Sequence, residues 1–493
     1  MTNTLLQGLQ QASTIRNTKG GEYYATSYNS NLDFFAGISR YASEEKIQSA
    51  FSAAYEEDRE IALANLLYAL DIRSGKGERR IFKIAFEWLC HRHPETAIVI
   101  LSLIPEYGRW DYVMTALHTP VGYEAVNMIS KQLYADVHSD NPSLLAKWLP
   151  SVRTHGKNNP EARYLANALA MSEKQYRKLL SELRGKTNIV ERQMSEQKFS
   201  DIDYESVPTK AMLKYRDAWQ RHDETRYHQY LDSVNSGEKK INTAGLFCYE
   251  IIKKIMDGET VRSDEQLFDL MWKNQKDFLA ENKENVLVMA DTSGSMTEAD
   301  GLPIANSVGL AIYTAERNHG CFHNYFMTFS DVPQLQYVRG ETITEKINNF
   351  DSFYCGETDI DAAFKMLLDT AVNNSIPKND MPSHIVIISD MEFDSGVMSE
   401  HGTNFQGWKN EFEEAGYTLP KIVFWNVAAD THGFPVTEND GDVCMISGFS
   451  TSVLEHIFDI ENYNPVNVMM EVLRKYEAII RDVATHRCGV EIN

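Results

Sequence analysis

Apolar residues recur along this chain with two different periods, and the change between them divides it. From Leu32 to about Glu284 they fall at i, i+3, i+4 and i+7, the spacing of one helix face. Ile61–Leu70 and Ile81–Leu89 show it most clearly. The link between them, Asp71-Ile-Arg-Ser-Gly-Lys-Gly-Glu-Arg-Arg80, is a Gly-punctuated basic turn, so the stretch predicts a helix–turn–helix hairpin. Ile98–Ile104, Ala125–Tyr134, Leu144–Leu149 and Ala162–Leu169 follow the same rule. Met171–Arg184, with Ser172 as N-cap, then Ala211–His222, Glu224–Val234, Ile251–Met256 and Asp264–Leu279 complete the series. No strand-like alternation interrupts it. Successive helix pairs predict an α-solenoid of the HEAT type, either open or closed into a ring.

After Glu281–Asn285 the pattern becomes strand and helix in alternation. Val286–Ala290 runs unbroken into Asp291, and His384–Ser389 runs into Asp390. Tyr325–Phe329, a short antiparallel strand within 330–337, Lys421–Val427 and Val443–Ser447 supply the other strands. Helices are expected at Pro303–Arg317, Thr358–Val372, Phe405–Glu414 and Asn467–Val483. That order predicts a doubly wound, mostly parallel sheet. The expected fold class is therefore α plus α/β: a flexible lead over 1–20, a helical-repeat domain over 21–284, and a Rossmann-like domain over 285–493.

Composition narrows the setting. With 43% hydrophobic and 24% charged residues the chain is an ordinary globular one. No run approaches the ~20 apolar residues of a membrane span, and the start lacks a signal peptide's charged and apolar regions. Cys90, Cys248, Cys321, Cys355, Cys444 and Cys488 stand far apart with no C-x-x-C pair, which argues for reduced thiols and a cytoplasmic protein. Of the net charge of −22, residues 285–493 carry −20, from 11 Lys and Arg against 31 Asp and Glu. Residues 151–200 reverse the sign, with 10 basic against 5 acidic residues. A polyanion would meet repulsion in the second half and attraction in parts of the first.

The candidate chemistry lies at the end of the first buried strand, in Asp291-Thr-Ser-Gly-Ser295. Asp291, Ser293 and Ser295 are hard oxygen donors gathered in one tight loop, where an open α/β sheet binds its ligands. One carboxylate and two hydroxyls suit Mg²⁺ (or Mn²⁺), which keeps several waters. A metal-free polar loop and a serine nucleophile are the rival readings. The second lacks a neighbouring His and the pattern G-x-S-x-G.

This D-x-S-x-S resembles the metal-ion-dependent adhesion site of von Willebrand factor A domains. The resemblance implies two further donors from later loops, and Thr358, in Gly356-Glu-Thr-Asp359, and Asp390 stand in the family's order. Asp394 is either an outer carboxylate or a loop residue. The helical half matches, through Leu70–Arg80, Pro105-Glu-Tyr-Gly-Arg-Trp-Asp111, Leu145-Ala-Lys-Trp-Leu-Pro150, Tyr176–Leu180 and Tyr215–Asp223, an uncharacterised intracellular family that joins such a half to an A domain. In architecture it is similar to the TROVE proteins, the Ro ribonucleoprotein autoantigens. There a ring of helical repeats carries an A domain with the same metal site and binds small and misfolded RNAs.

That likeness implies a non-catalytic RNA-binding protein. Candidate phosphate contacts are Arg73, Lys76, Arg79 and Arg80 in the Gly-rich turn, which is no P-loop, and Lys174, Arg177 and Lys178 in a basic run that continues through Arg184, Arg192 and Lys198. Each group reads equally as a solvated surface. Tyr107, Trp110 and Trp148 are either base-stacking rings or core. The alternative function is a protein-interaction adaptor, in which a partner's Asp or Glu completes the metal sphere.

Overall fold

The computed structural model describes residues 14–16, 22–154, 157–187, 189–258, 262–329, 332–350, 359–391, 393, 404–427 and 433–492. Thr358, Asp394 and Cys355 lie outside them. The strands, in chain order, are β1 (Thr14–Arg16), β2 (Glu22–Tyr24), β3 (Arg153–Thr154), β4 (Lys157–Asn158), β5 (Val286–Asp291), β6 (Tyr325–Phe329), β7 (Gln334–Tyr337), β8 (His384–Ser389), β9 (Lys421–Asn426) and β10 (Val443–Ser447). The first four form two short antiparallel ribbons, β1 with β2 and β3 with β4. The sequence pattern predicts a helical half without strands, and these two ribbons correct that expectation. Pieces of two or three residues are too short to show an alternation.

Most helices fall close to their expected positions, but the one expected over Asp264–Leu279 spans Arg262–Lys273. Glu298–Arg317 carries left-handed backbone at Ala299, Asp300 and Gly301, so its regular part starts near the expected Pro303. Ile360–Asn373, Asn404–Glu414 and Pro465–Asp482 match within two residues. Ser172 forms the full capping box with Gln175 at the head of Glu173–Lys186.

Chain contacts divide the protein into two compact units, but not at residue 284. One unit comprises Met1–Ala69, Arg73–Ile81 and Gly245–Glu477; the other comprises Leu70–Ile72, Phe82–Ala244 and Ala478–Asn493. Residue 284 marks where the sheet begins, while helices on its amino-terminal side already belong to the sheet's own unit.

The first unit is built on a six-stranded sheet in the order β10-β9-β8-β5-β6-β7, parallel except for β7. Central strands β5 and β8 are buried at every position, hence their unbroken apolar runs. Helix Tyr249–Met256 packs on Glu298–Arg317 so closely that a Cβ at Gly309 would come within 2.8 Å of the Cys248 Cβ. Helix Ser30–Gly37 docks at the end of β10, where Ser447 Oγ donates to the Phe35 carbonyl at 2.8 Å. Tyr24 exchanges both backbone hydrogen bonds with Phe434, at 2.9 and 2.8 Å.

The second unit is helical apart from the β3–β4 ribbon. Its aromatic core joins Tyr204, Trp219, Tyr227 and Tyr230: Trp219 meets Tyr204 edge-on at 5.3 Å, Tyr227 is tilted to Tyr204 at 5.5 Å, and Tyr230 stacks on Tyr204 at 5.5 Å. Arg184 ties helix Glu173–Lys186 to the 146–151 segment, donating to the carbonyls of Ala146 and Leu149 and to Ser151 Oγ, each at 2.7 Å. Among the described residues no helix is long and apolar enough to cross a membrane.

Candidate metal centre

The strand order reverses between β5 and β8, and in an open α/β sheet a crevice opens at the carboxyl ends of two such strands. Asp291 ends β5, and Ser389 ends β8 with Asp390 directly after it. The parallel register pairs Ala290 with Ile388, which brings the two strand ends level.

Local hydrogen bonds then shape the loop. Asp291 Oδ1 accepts from the Ser293 amide at 2.9 Å and folds the chain back over Thr292. Ser293 Oγ and Ser295 Oγ stand 3.1 Å apart. Across the crevice Ser389 Oγ donates to Asp291 Oδ2 at 2.6 Å and accepts from the Met391 amide at 3.1 Å. It also lies 3.5 Å from Asp390 Oδ1, but its single proton is committed to the shorter contact. Met391 takes left-handed backbone, φ 62°, as the chain leaves the site. Asp291 is wholly buried, Ser293 and Asp390 nearly so, and Ser295 is half-buried.

Burial raises the Asp291 carboxyl to about 6, with Asp390 adding to the rise and hydrogen bonds from Ser389 and Ser293 opposing it. The groups that act on it are hydroxyls, an amide and another carboxylate. Two buried carboxylates drawn together favour a proton or a cation. Among the described residues no three of His, Cys, Asp and Glu cluster closely enough to hold a metal. Two carboxylates and two hydroxyls make an all-oxygen set, whose chemistry fits Mg²⁺ or Mn²⁺ and not the nitrogen and sulfur preference of zinc. Asp291, Ser293, Ser295 and Asp390 are therefore brought together. Asp359, next to Thr358, turns its side chain onto its own helix and accepts from the Ala362 amide at 2.9 Å. Ser389 was not singled out by the sequence. Its only signal is a hydroxyl at the last buried strand position, beside an Asp.

The basic candidates fare unevenly. Lys76 is a correction: it is 3% exposed, and its Nζ donates to the carbonyls of Phe35 (3.0 Å) and Ile38 (2.8 Å) and to Ser447 Oγ (2.6 Å). A cation enclosed in this way cannot meet a phosphate. Arg80 is exposed, though its guanidinium donates to the carbonyls of Arg40 (3.3 Å) and Ala42. Arg73 and Arg79 are exposed, as are Lys174, Arg177 and Lys178 on the outer face of Glu173–Lys186. Further along that run, Arg184 is half-buried and bonded to the 146–151 segment, and Arg192 and Lys198 both pair with Glu196. Tyr107, Trp110 and Trp148 are half-buried. The Arg109 guanidinium covers the Trp148 ring at 4.1 Å while held by both oxygens of Asp111.

Comparison with known proteins agrees with a two-part chain. Residues 285–482 match one family model, Domain of unknown function (DUF7788). Residues 18–108 and 154–291 match another, Domain of unknown function (DUF2828). Over 519 aligned residues the chain is 28% identical to the Uncharacterized protein L728 of Acanthamoeba polyphaga mimivirus, covering 96% of this chain and 89% of the viral protein. Among solved structures, the Ro (RSR) protein of Deinococcus radiodurans superposes over 91% of this chain and 99% of its own, with 13% identity and a TM-score of 0.48. A likeness at that level carries no weight for fold or function.

Proposed function

We propose that the chain is a non-enzymatic binding protein with a metal site of the von Willebrand A type and an RNA-binding helical region of the Ro kind. Asp291, Ser293, Ser295 and Asp390 hold Mg²⁺ or Mn²⁺, and Thr358, outside the described residues, is the further ligand that the resemblance implies. The observation that supports this best is the meeting of two buried carboxylates and two hydroxyls at the point where the sheet's strand order reverses. The bound cation would neutralise the carboxylates and offer an open position to an anionic oxygen. The protein's part is to hold the donors in place: Ser389 orients Asp291, and the Ser293 amide fixes the loop. Ser293 and Ser295 face each other and not a histidine, which favours coordination over nucleophilic attack.

RNA contact is assigned to the helical region, where Lys174, Arg177 and Lys178 share one exposed face, with Arg73 and Arg79 as further contacts. One observation favours the adaptor as a second reading. The acidity of residues 285–493 repels a polyanion, while half-buried Ser295 leaves the site open to a partner's Asp or Glu. Two measurements on the purified chain separate these readings. Loss of the free Mn²⁺ paramagnetic signal on adding protein reports the metal site, and an undiminished signal removes it. An absorbance ratio at 260 and 280 nm above that of the protein alone reports bound RNA. A protein-like ratio, together with no RNA binding at low salt, leaves the adaptor.

A further inference from the structure

Helix Gly122–Val137 buries Ala125, Ile129 and Leu133 and turns its other side to water. On that outer side Tyr123 is 78% and Tyr134 71% exposed, the two most exposed large hydrophobic side chains among the described residues. Eleven residues at 100° each bring them back within about 20° of one another, so they share a face, about 16 Å apart along the axis. Asn127 and Ser130, both exposed, fall between them on that face, and exposed Lys131 lies at its edge. The helix's stability does not need these rings, since its packing stripe is on the opposite side.

The surroundings of the face define what it can take. Asp136, the acidic residue nearest its carboxyl end, is turned inward and accepts from Gln132 Nε2 (2.8 Å), the Ser143 amide (2.9 Å) and Ser143 Oγ (2.7 Å). At that end Lys186 Nζ donates to the Val137 carbonyl at 3.2 Å, bringing in a cation from the basic helix Glu173–Lys186. The His138 ring lies 4.5 Å from that of Tyr134, with its Nδ1 2.8 Å from the Tyr134 carbonyl, and so steadies that end of the face. Exposed charges on and beside the face are Lys131 and Lys186, against Asp140 just past the helix end, with Glu124 half-buried on the flank. Polar Asn127 and Ser130 break up the apolar surface, so it is not the continuous patch a protein hot spot uses. Flat rings separated by amide and hydroxyl groups and flanked by amines match bases, which have apolar faces, polar edges and a phosphate chain.

We propose that this face is a stacking site for single-stranded nucleic acid. Bases lie on Tyr123 and Tyr134, Asn127 and Ser130 meet base edges, and Lys131 and Lys186 stand beside phosphates. The proposal rests on the RNA reading above and supplies its aromatic contacts.

The test is fluorescence anisotropy of a labelled uridine 12-mer at low salt, with an abasic 12-mer as control. Three full-length proteins are compared: wild type, the pair Tyr123→Ala with Tyr134→Ala, and the pair Tyr123→Phe with Tyr134→Phe. The alanine pair should bind the uridine strand at least about tenfold more weakly at an unchanged salt slope, and the phenylalanine pair within about twofold of wild type. The abasic strand should not distinguish the three. Wild-type and alanine-pair proteins that bind the uridine strand equally overturn the stacking site and leave the RNA reading standing. An alanine-pair defect that persists on the abasic strand also overturns stacking. Self-association lost in the alanine pair, with strand binding intact, would assign the face to a protein contact instead. Wild type that binds no strand at all removes both readings.

Discussion

Ser389 Oγ lies 2.6 Å from Asp291 Oδ2 and joins the carboxyl ends of two neighbouring parallel strands. Its oxygen in turn accepts from the Met391 amide, so one buried hydroxyl orients a carboxylate and fixes the turn that follows Asp390. For the metal site proposed above, a carboxylate held in this way would lower the ordering cost of binding a cation.

Replacing Ser389 by Ala leaves Asp291 Oδ2 and the Met391 amide without that partner in a buried site. Loss of the pairing should cost about 1–3 kcal/mol of stability, read from urea unfolding with an unchanged m-value. Unaltered stability would show that water takes over both bonds.

Lys76 gives a pH-dependent prediction. Burial lowers its amine to about 8, against 10.5 for the unfolded chain, with Glu78 opposing the shift and Arg40 adding to it. The folded state therefore releases this proton first, and between about pH 8 and 10.5 the unfolded state binds more protons. Stability from this group rises with pH across that window and is constant below it. The stability of wild type minus that of Lys76→Met should thus increase from pH 8 to 10.5. A flat difference contradicts the burial of a charged amine.

Arg40 spans an ion pair and an aromatic face. Its guanidinium donates to Glu78 Oε1 at 2.8 and 3.1 Å and sits 3.8 Å from the centre of the Phe449 ring. Glu78 is almost fully buried, so Arg40→Met strands its charge and should cost about 3–5 kcal/mol in chemical denaturation. Adding Glu78→Gln should recover part of that loss.

Salt dependence separates exposed from internal cations. Changing Lys174, Arg177 and Lys178 to Ala should flatten the slope of log K against log salt for RNA by about 0.7 per lost contact, or roughly 2 for all three. Lys76→Met should leave the slope unchanged, because its amine is enclosed by the carbonyls of Phe35 and Ile38 and by Ser447 Oγ. The opposite ranking would move the RNA contact to the Gly-rich turn.

How far the sequence was legible follows from what each signal measures. Val286–Ala290 and Ile385–Ile388 read directly as strands because burial on both faces demands unbroken apolar runs. Asp291, Ser293 and Ser295 were legible because neighbours in sequence are neighbours in a tight loop, and Asp390 because a second strand points at it. Lys76 was misread, since a basic Gly-rich turn does not show which of its cations folds beneath it. Helical periodicity likewise shows that Phe35 or Ile252 faces a partner without showing that the partner is the sheet's unit. Ser389 escaped notice because it looks like one more strand residue until register sets it against Asp291.

Isothermal calorimetry with Mg²⁺ on wild type, Asp291→Ala and Ser293→Ala tests the central claim most directly. The account predicts one weak site in wild type, at least about tenfold weaker in either variant, with the folded helical signal retained in circular dichroism. Equal Mg²⁺ affinity in all three proteins would contradict a metal site at Asp291.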